Sequence, residues 1–408
     1  MFVGHKYFFG LTLCGIAALA AAPASALELT SVNTGSEPET GIHIGGFMLF
    51  PKLDISGQYN DNVFAVNTGA KSDVSLDVHP SVRLESTWSH YLVALKAEYD
   101  LRRYNKFGQE DTDNYLLGAE TKFDLGSATQ FDATTDYGRY SELPGNTNIV
   151  TNAAKPTNYF MWDNKADIKH VFSRLQADIG ASFSTLRFQN TPAVGGGTIL
   201  SVNRNRDVTS AFVDLGFQFS PGYQLFARGS WNQRDYEFLV SKFRNSTGYD
   251  AVGGVRLQLT HLIDAEAFLG YLQQDYKAPL AKVGGIDAGA KLHWSASRLT
   301  DVNLDVHRTI EETDQIGATA YFATTAELDV SHQLSRSVSV NAGVSYTNND
   351  YKGVIQNENI IGANVGVDYH FMPQLHLVVD YRYTNRDSNL PSANYAQNLV
   401  EAHVGLAL

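Results

Sequence analysis

The sequence predicts an all-β fold: a transmembrane antiparallel β-barrel of the outer membrane with about 18 strands, in a range of about 16–18. Three observations lead to this prediction. From Phe47 onward apolar and polar residues alternate with a period of two, the alternating runs reach ten residues or more, and polar breaks separate them. A period of two is typical of a strand with one apolar face. Tilted strands of about 9 to 11 residues cross a bilayer.

The clearest example of this pattern is the stretch 318–346. Leu328 and Val330 alternate with Glu327 and Asp329, and the same alternation resumes after the polar break 334–337. Two long alternating runs with a short break between them predict a β-hairpin. A soluble sandwich or propeller is the alternative, but its strands would be shorter and its outer faces polar.

The N-terminus predicts export. A weakly basic start and an apolar run precede Ala24-Ser25-Ala26, a small-residue cleavage site, so residues 1–26 form a predicted signal peptide. Residues 27–45 are polar and aperiodic, and we expect a mobile periplasmic N-terminal segment there, followed by the transmembrane β-barrel over 46–408. The only cysteine, Cys14, lies in the signal peptide, which excludes disulfides and cysteine-based sites from the mature chain.

The individual strands follow from the apolar parity, taken in chain order. Each predicted strand extends between the first and last apolar position of one alternating run. The eighteen runs are 47–59, 74–88, 91–99, 115–125, 129–137, 160–168, 175–183, 211–219, 223–231, 249–259, 263–271, 286–294, 302–306, 318–330, 338–346, 361–369, 375–383 and 400–408.

The connections between these runs alternate between short and long, which predicts the orientation of the barrel. Short turns of outer-membrane barrels face the periplasm and long loops face outward. The predicted long loops include 141–157, 189–206, 310–317, 348–358 and 384–395. An even strand number then places both termini in the periplasm. Aromatic residues occur at both ends of the runs, as interfacial girdles require: Trp88, Tyr91, Phe219, Tyr223, Trp294 and Phe371 at the short turns, and Tyr59, Tyr99, Tyr115, Tyr137, Trp231, Tyr249, Tyr271 and Tyr383 toward the long loops.

Four segments resemble a known family. GGFMLFPKLDISGQYNDNVF (45–64), SRLTDVNLDVHRTIEET (297–313), GVSYTNNDYKG (343–353) and DYRYTNRDSN (380–389) are similar to outer-membrane proteins called putative β-barrel porin 2. The resemblance covers nearly all of the mature chain. It implies a barrel and, because members of the family are often associated with exopolysaccharide or capsule export, a role in such export. Leu408 departs from the terminal Phe that is common in such barrels.

The inward parity indicates what lines the channel. Carboxylates outnumber basic groups there, which predicts a preference for cations and neutral solutes unless the charges pair across the wall. The formal net charge of -12 argues against a nucleic-acid partner. The lumen charges that we single out are Asp264, Glu266, Arg228, Arg256, Glu327 and Asp329.

Phe212, Phe226 and Phe268 share the lumen parity on neighbouring predicted strands. Such an aromatic patch either contacts sugar rings or packs against a loop folded into the pore. In the loop 189–206, Arg204 meets either anionic lipid head groups or solvent.

Four inward histidines follow an acid by two residues, an arrangement that suits pH sensing, structure, a metal or catalysis: Asp77/His79, Asp305/His307, Asp368/His370 and Glu401/His403. No nucleophile motif accompanies them. We therefore expect no enzyme activity, catalytic residue, metal or cofactor.

The sequence thus predicts a channel that is a passive conduit or outer-membrane component for an exopolysaccharide. The alternatives are a general porin for small solutes and a plugged structural barrel that engages periplasmic partners through residues 27–45. The expected partners are outer-membrane lipids, the barrel-insertion machinery, periplasmic polysaccharide-export proteins and a carbohydrate polymer.

Overall fold

The computed structural model describes residues 41–146 and 153–407. The predicted signal peptide, most of the predicted N-terminal segment and Leu408 lie outside these residues. The described chain forms a closed antiparallel barrel of eighteen long strands. They are β1 Phe47–Asn60, β2 Asp73–Ser86, β3 Tyr91–Tyr104, β4 Thr112–Asp124, β5 Thr129–Ser141, β6 Asn158–Phe172, β7 Leu175–Phe188, β8 Arg206–Ser220, β9 Tyr223–Tyr236, β10 Ser246–Thr260, β11 Ile263–Tyr276, β12 Val283–Ser297, β13 Thr300–Glu312, β14 Ala320–Ser335, β15 Val338–Lys352, β16 Asn357–Met372, β17 Leu375–Ser388 and β18 Tyr395–Ala407.

Each strand pairs with the next in the chain, and β18 returns to pair with β1 and close the barrel. The closing ladder joins Lys52–Asn60 to residues 399–407. A short strand, Ile42–Ile44, pairs antiparallel with the beginning of β1 at the end of the predicted N-terminal segment. The closing ladder joins the first long strand to the last, and a sheet that spans lipid needs such closure. The predicted fold class and strand number are confirmed.

The two faces of the wall differ as the parity predicts. Leu269 on the outer face is 63% exposed, whereas Gln274 on the inner face of the same strand is 2% exposed. Trp88, Phe219 and Trp294 are also exposed near short turns. Within the described ranges, no helix is long and apolar enough to cross a membrane.

The connections alternate as predicted, so the barrel has a short-turn end and a long-loop end. Gly222 in the turn between β8 and β9 has φ +79°, a conformation that glycine adopts without strain. At the long-loop end the strands extend further than the apolar pattern indicated. The predicted loops 348–358 and 384–395 shrink to 353–356 and 389–394. Backbone pairing continues there through polar residues, where Asn348 donates side-chain hydrogen bonds to Asn357 (3.0 Å) and Asn359 (2.9 Å) on β16.

The barrel wall is interrupted on one side of the long-loop end. The ladder between β12 and β13 stops at the pair Ala290 and Val306, although β13 continues to pair with β14 as far as Glu312 and Ala320. Beyond Val306, towards the long-loop end, β13 and its partner β14 are therefore not hydrogen-bonded to β12.

The free part of the hairpin folds into the lumen. Ile310 and Phe322 share the outward parity of their strands, yet both are buried in a cluster with Leu272 and Val283, whose side chains face inward from β11 and β12. The ring of Phe322 also lies over Gly285 of β12. We call this segment, residues 307–325, the inward hairpin.

Candidate functional site in the barrel lumen

The inward hairpin carries a buried ion pair into the lumen. Arg234 of β9 is fully buried and its guanidinium binds the Glu312 carboxylate. Tyr236 and Tyr276 each donate a hydroxyl hydrogen bond to Glu312, at 2.8 and 2.9 Å, and Arg234 also donates to the carbonyl of Ile310 at 3.0 Å. A charge in such surroundings requires these partners, because an unpaired buried carboxylate is costly. Glu312 lies in the segment that was predicted as the loop 310–317, so sequence reasoning missed this pair.

A second ionic cluster joins three loops at the same end of the barrel. Arg204, in the loop between β7 and β8, donates two hydrogen bonds to Glu142 at 2.8 and 2.6 Å, and its Nε lies 2.6 Å from Asp314. Glu142 belongs to the loop that follows β5, and Asp314 belongs to the tip of the inward hairpin. The Arg204 side chain is 13% exposed and stacks on Phe188 with 4.0 Å between the guanidinium and the ring centre. It therefore faces the barrel interior rather than lipid or solvent.

The charge state of Arg204 follows from these contacts. Burial alone would lower the pKa of the guanidinium, but the Asp314 and Glu142 carboxylates outweigh burial and raise that pKa above its ordinary value. Arg204 is thus held as a cation, and the cluster keeps its ion pairs at every pH at which the carboxylates are ionised.

The loop that follows β5 also reaches the opposite part of the wall. The carbonyl of Gly145 accepts hydrogen bonds from Arg386 at 3.4 Å and from the Tyr395 hydroxyl at 3.3 Å. Arg386 is itself bound to Glu358 at 2.6 Å. Contacts thus extend across the long-loop end. They join the loop after β5 to β17, to β18 and to the loop before β8, and Arg204 of that last loop joins the inward hairpin. We call this set of contacts the mouth cluster: Glu142, Gly145, Arg204, Asp314, Arg386 and Tyr395.

Three of the six predicted lumen charges come together midway along the wall. Arg228 and Arg256 lie 2.9 and 2.6 Å from Asp214, and Arg256 also lies 2.7 Å from Glu266. Neighbouring strands thus neutralise one another here. The other three predicted charges lie elsewhere on the wall, with Asp264 opposite His293, Glu327 opposite Asp305 and Asp329 opposite Asn303.

The three predicted phenylalanines lie against the wall, each beside a glycine of an adjacent strand. Phe212 covers Gly180, Phe226 covers Gly254 and Phe268 covers Gly289. Because glycine has no side chain, each ring can lie flat along the sheet. The Phe226 ring is 5% exposed, and the Arg256 guanidinium lies over it, 4.1 Å from the ring centre.

Only some of the four predicted pairs of an acid with a histidine form. Asp305 and His307 lie 2.5 Å apart, and Asp368 and His370 lie 3.5 Å apart. Asp77 instead binds Arg102 at 2.8 Å. A residue on the neighbouring strand is as close to a side chain as the residue two positions away on the same strand. Cross-strand neighbours therefore compete for the same partner.

Known proteins support the assignment of the fold. The family model described as "Putative beta-barrel porin 2" matches residues 37–408. The chain is similar to a mutant of the ferric enterobactin receptor PfeA of Pseudomonas aeruginosa, with a TM-score of 0.50, 7% identity, and coverage of 88% of this chain and 80% of that chain. OpdL of the same organism gives a TM-score of 0.46 at 11% identity, over 90% of this chain and 99% of that one. OccAB4 of Acinetobacter baumannii gives 0.45 at 12% identity, over 91% and 100%. Among curated proteins there is no match.

Proposed function

Because this chain belongs to the family of barrels described as putative beta-barrel porin 2, we propose that it is a passive outer-membrane conduit for an exported exopolysaccharide, with a mouth that the loops close. The family and the fold support a channel-like β-barrel of the outer membrane. In the proposed orientation the long loops face outward and both termini face the periplasm.

The observation that carries the choice of cargo is the neutralised wall beside the flat phenylalanine rings. Arg228 and Arg256 are balanced by Asp214 and Glu266, so these four groups together carry no net charge. Arg256 covers the Phe226 ring, whereas Phe212 and Phe268 are only half-buried against the wall. Sugar rings stack on the exposed faces of such rings. These features favour a neutral or weakly charged carbohydrate over a small ion.

The mouth cluster distinguishes this proposal from a general porin. A porin for small solutes needs a lumen that is permanently open, whereas Arg204 joins three loops across the long-loop end. Passage of a polymer then requires these loops to separate. A permanently plugged barrel, docked to periplasmic export proteins through residues 27–45, is the remaining candidate, and an open state would exclude it.

The carbohydrate assignment is tested in a strain that lacks the protein. We expect deletion to abolish display of one surface polymer. We expect the variant Phe212→Ala/Phe226→Ala/Phe268→Ala to restore display only partly, because a ring contact contributes roughly 0.5–1.5 kcal/mol, or about two- to tenfold in affinity. Phe217→Ala, which removes an exposed ring from the outer face of β8, is the matched control and should restore display fully. Normal polymer display in the deletion strain would exclude the proposal, and full restoration by the triple variant would remove the role of the rings.

A further inference from the structure

Two histidines and one aspartate converge on the inner wall toward the short-turn end, where the barrel closes. Asp54 lies on β1, His376 on β17 and His403 on β18. One potential ligand atom from each residue lies within 4.8 Å of the others. These three strands are adjacent in space only because β18 pairs with β1, so the cluster exists only in the closed barrel.

A glycine makes this convergence possible. Gly405 of β18 lies opposite His376 on one side and opposite Asp54 on the other. A Cβ atom at Gly405 would lie 2.6 Å from Asp54 Oδ1, and closer still to two atoms of the His376 ring, which real Cβ atoms do not tolerate. The imidazole and the carboxylate therefore share the space above Gly405, and they approach each other from both sides.

Asp54 offers one oxygen that its surroundings leave unused. Its Oδ1 is buried and accepts no hydrogen bond from any described residue, whereas its Oδ2 lies 3.0 Å from the Nζ of Lys52. His403 Nε2 lies 3.9 Å from Oδ1, too far for a hydrogen bond. The His376 and His403 rings are 5.5 Å apart between centres and nearly perpendicular. A buried carboxylate oxygen without a donor calls for an explanation, and a cation between these groups supplies one.

The donor set determines which cation fits. Imidazole nitrogens suit zinc and its neighbours in the transition series, whereas calcium and magnesium prefer oxygen ligands alone. Zinc bonds of about 2.0–2.2 Å place tetrahedral ligand atoms about 3.4 Å apart. Side-chain movements of about 1 Å would therefore bring these three groups to zinc-binding distances. Three protein ligands leave a fourth position for water from the lumen.

We propose that Asp54, His376 and His403 bind a divalent transition-metal ion, with zinc as the best fit, and that this ion clamps β1 to β17 and β18. Within the described residues, the ladder between β1 and β18 covers Lys52–Asn60 and the ladder between β1 and β2 covers Phe47–Asn60, so the closing ladder is the shorter of the two. The proposed site differs from the expectation of no metal stated in the sequence analysis, and it does not depend on the cargo of the channel.

The test uses the untagged barrel, purified from membranes, stripped with chelator and titrated with Zn²⁺ by calorimetry. We expect one ion per chain, and a loss of affinity of more than about 100-fold in His376→Ala, His403→Ala and Asp54→Asn, because each removes a ligand. His293→Ala is the matched control, since His293 is a lumen histidine bound to Asn303 outside the cluster, and it should bind as the unmodified protein does.

Heating in detergent supplies a second measurement. Zinc should raise the unfolding temperature of the unmodified barrel and of His293→Ala, because a ligand that binds only the folded state stabilises it. It should leave the unfolding temperature of the three ligand variants unchanged. Absence of binding by the unmodified barrel, or undiminished binding by the three variants, would overturn the proposal. Gly405→Ala tests it separately, since a well-folded Gly405→Ala barrel with full zinc affinity would also contradict it.

Discussion

Replacing Arg204 with methionine is expected to open the long-loop end of the barrel. The substitution removes the partner of Glu142, which is buried, and releases Asp314 at the tip of the inward hairpin. Loss of one partner from a buried ion pair typically costs about 3–5 kcal/mol. That energy shifts an equilibrium between closed and open mouths by more than about 100-fold. Liposome swelling in oligosaccharide solutions measures the result, and the variant should admit sugars markedly faster than the unmodified protein.

The control for this experiment is Arg187→Met. Arg187 lies near the same end of β7 and pairs with Asp207 at 2.8 Å, but its side chain is about one-third exposed and makes no contact in the mouth cluster. Swelling rates with Arg187→Met should equal those of the unmodified barrel. Equal rates for Arg204→Met and the unmodified barrel would mean that the mouth cluster does not restrict passage.

Replacing Arg234 with methionine is expected to cause a large loss of stability. Glu312 would remain buried with two tyrosine hydroxyls but without its cation. The expected decrease in the free energy of unfolding is about 3–5 kcal/mol. Urea titration of the barrel in detergent micelles measures it as a lower midpoint with an unchanged slope.

The double variant Arg234→Met/Glu312→Gln separates the charge effect from loss of packing. It removes the uncompensated carboxylate and should regain a substantial part of the lost stability. Arg187→Met, which breaks an exposed pair, should cost less than about 1 kcal/mol. If Arg234→Met were as mild as Arg187→Met, the buried pair would not hold the inward hairpin in place.

The architecture was predictable because it depends on local pattern. A strand in the wall must present every second residue to the lipid, and Leu269 and Gln274 differ in exposure for that reason. The turns follow from equally local signals, such as the glycine at the turn between β8 and β9. These constraints act over ten or so neighbouring residues, so one sequence displays them without reference to the rest of the fold.

The inward hairpin was not predictable by the same reasoning. Alternation assigns Phe322 to the lipid face, and Ile310 falls in the predicted loop 310–317. Only contacts with Leu272 and Val283 on other strands place both side chains inside the barrel. A change from apolar to charged residues at 311–312 is the one available signal that β13 leaves the lipid there. The parity rule assumes that a strand stays in the wall, and the end of the β12 ladder at Ala290 breaks that assumption.

The candidate metal site shows a different limit. Sequence reasoning paired each histidine with the acid two residues before it, including Glu401 with His403. In the folded barrel His403 instead faces Asp54, and these two residues lie on the last and the first strand of the barrel. Such neighbours depend on ring closure and strand register, and neither can be read from a local spacing.

We propose a conduit whose long-loop mouth is closed by contacts among its own loops. The most direct test is the single-channel current of the unmodified protein in a planar bilayer. We expect long closed periods with brief openings, because the mouth cluster must separate before ions pass. A large and stable current at low voltage would contradict the claim.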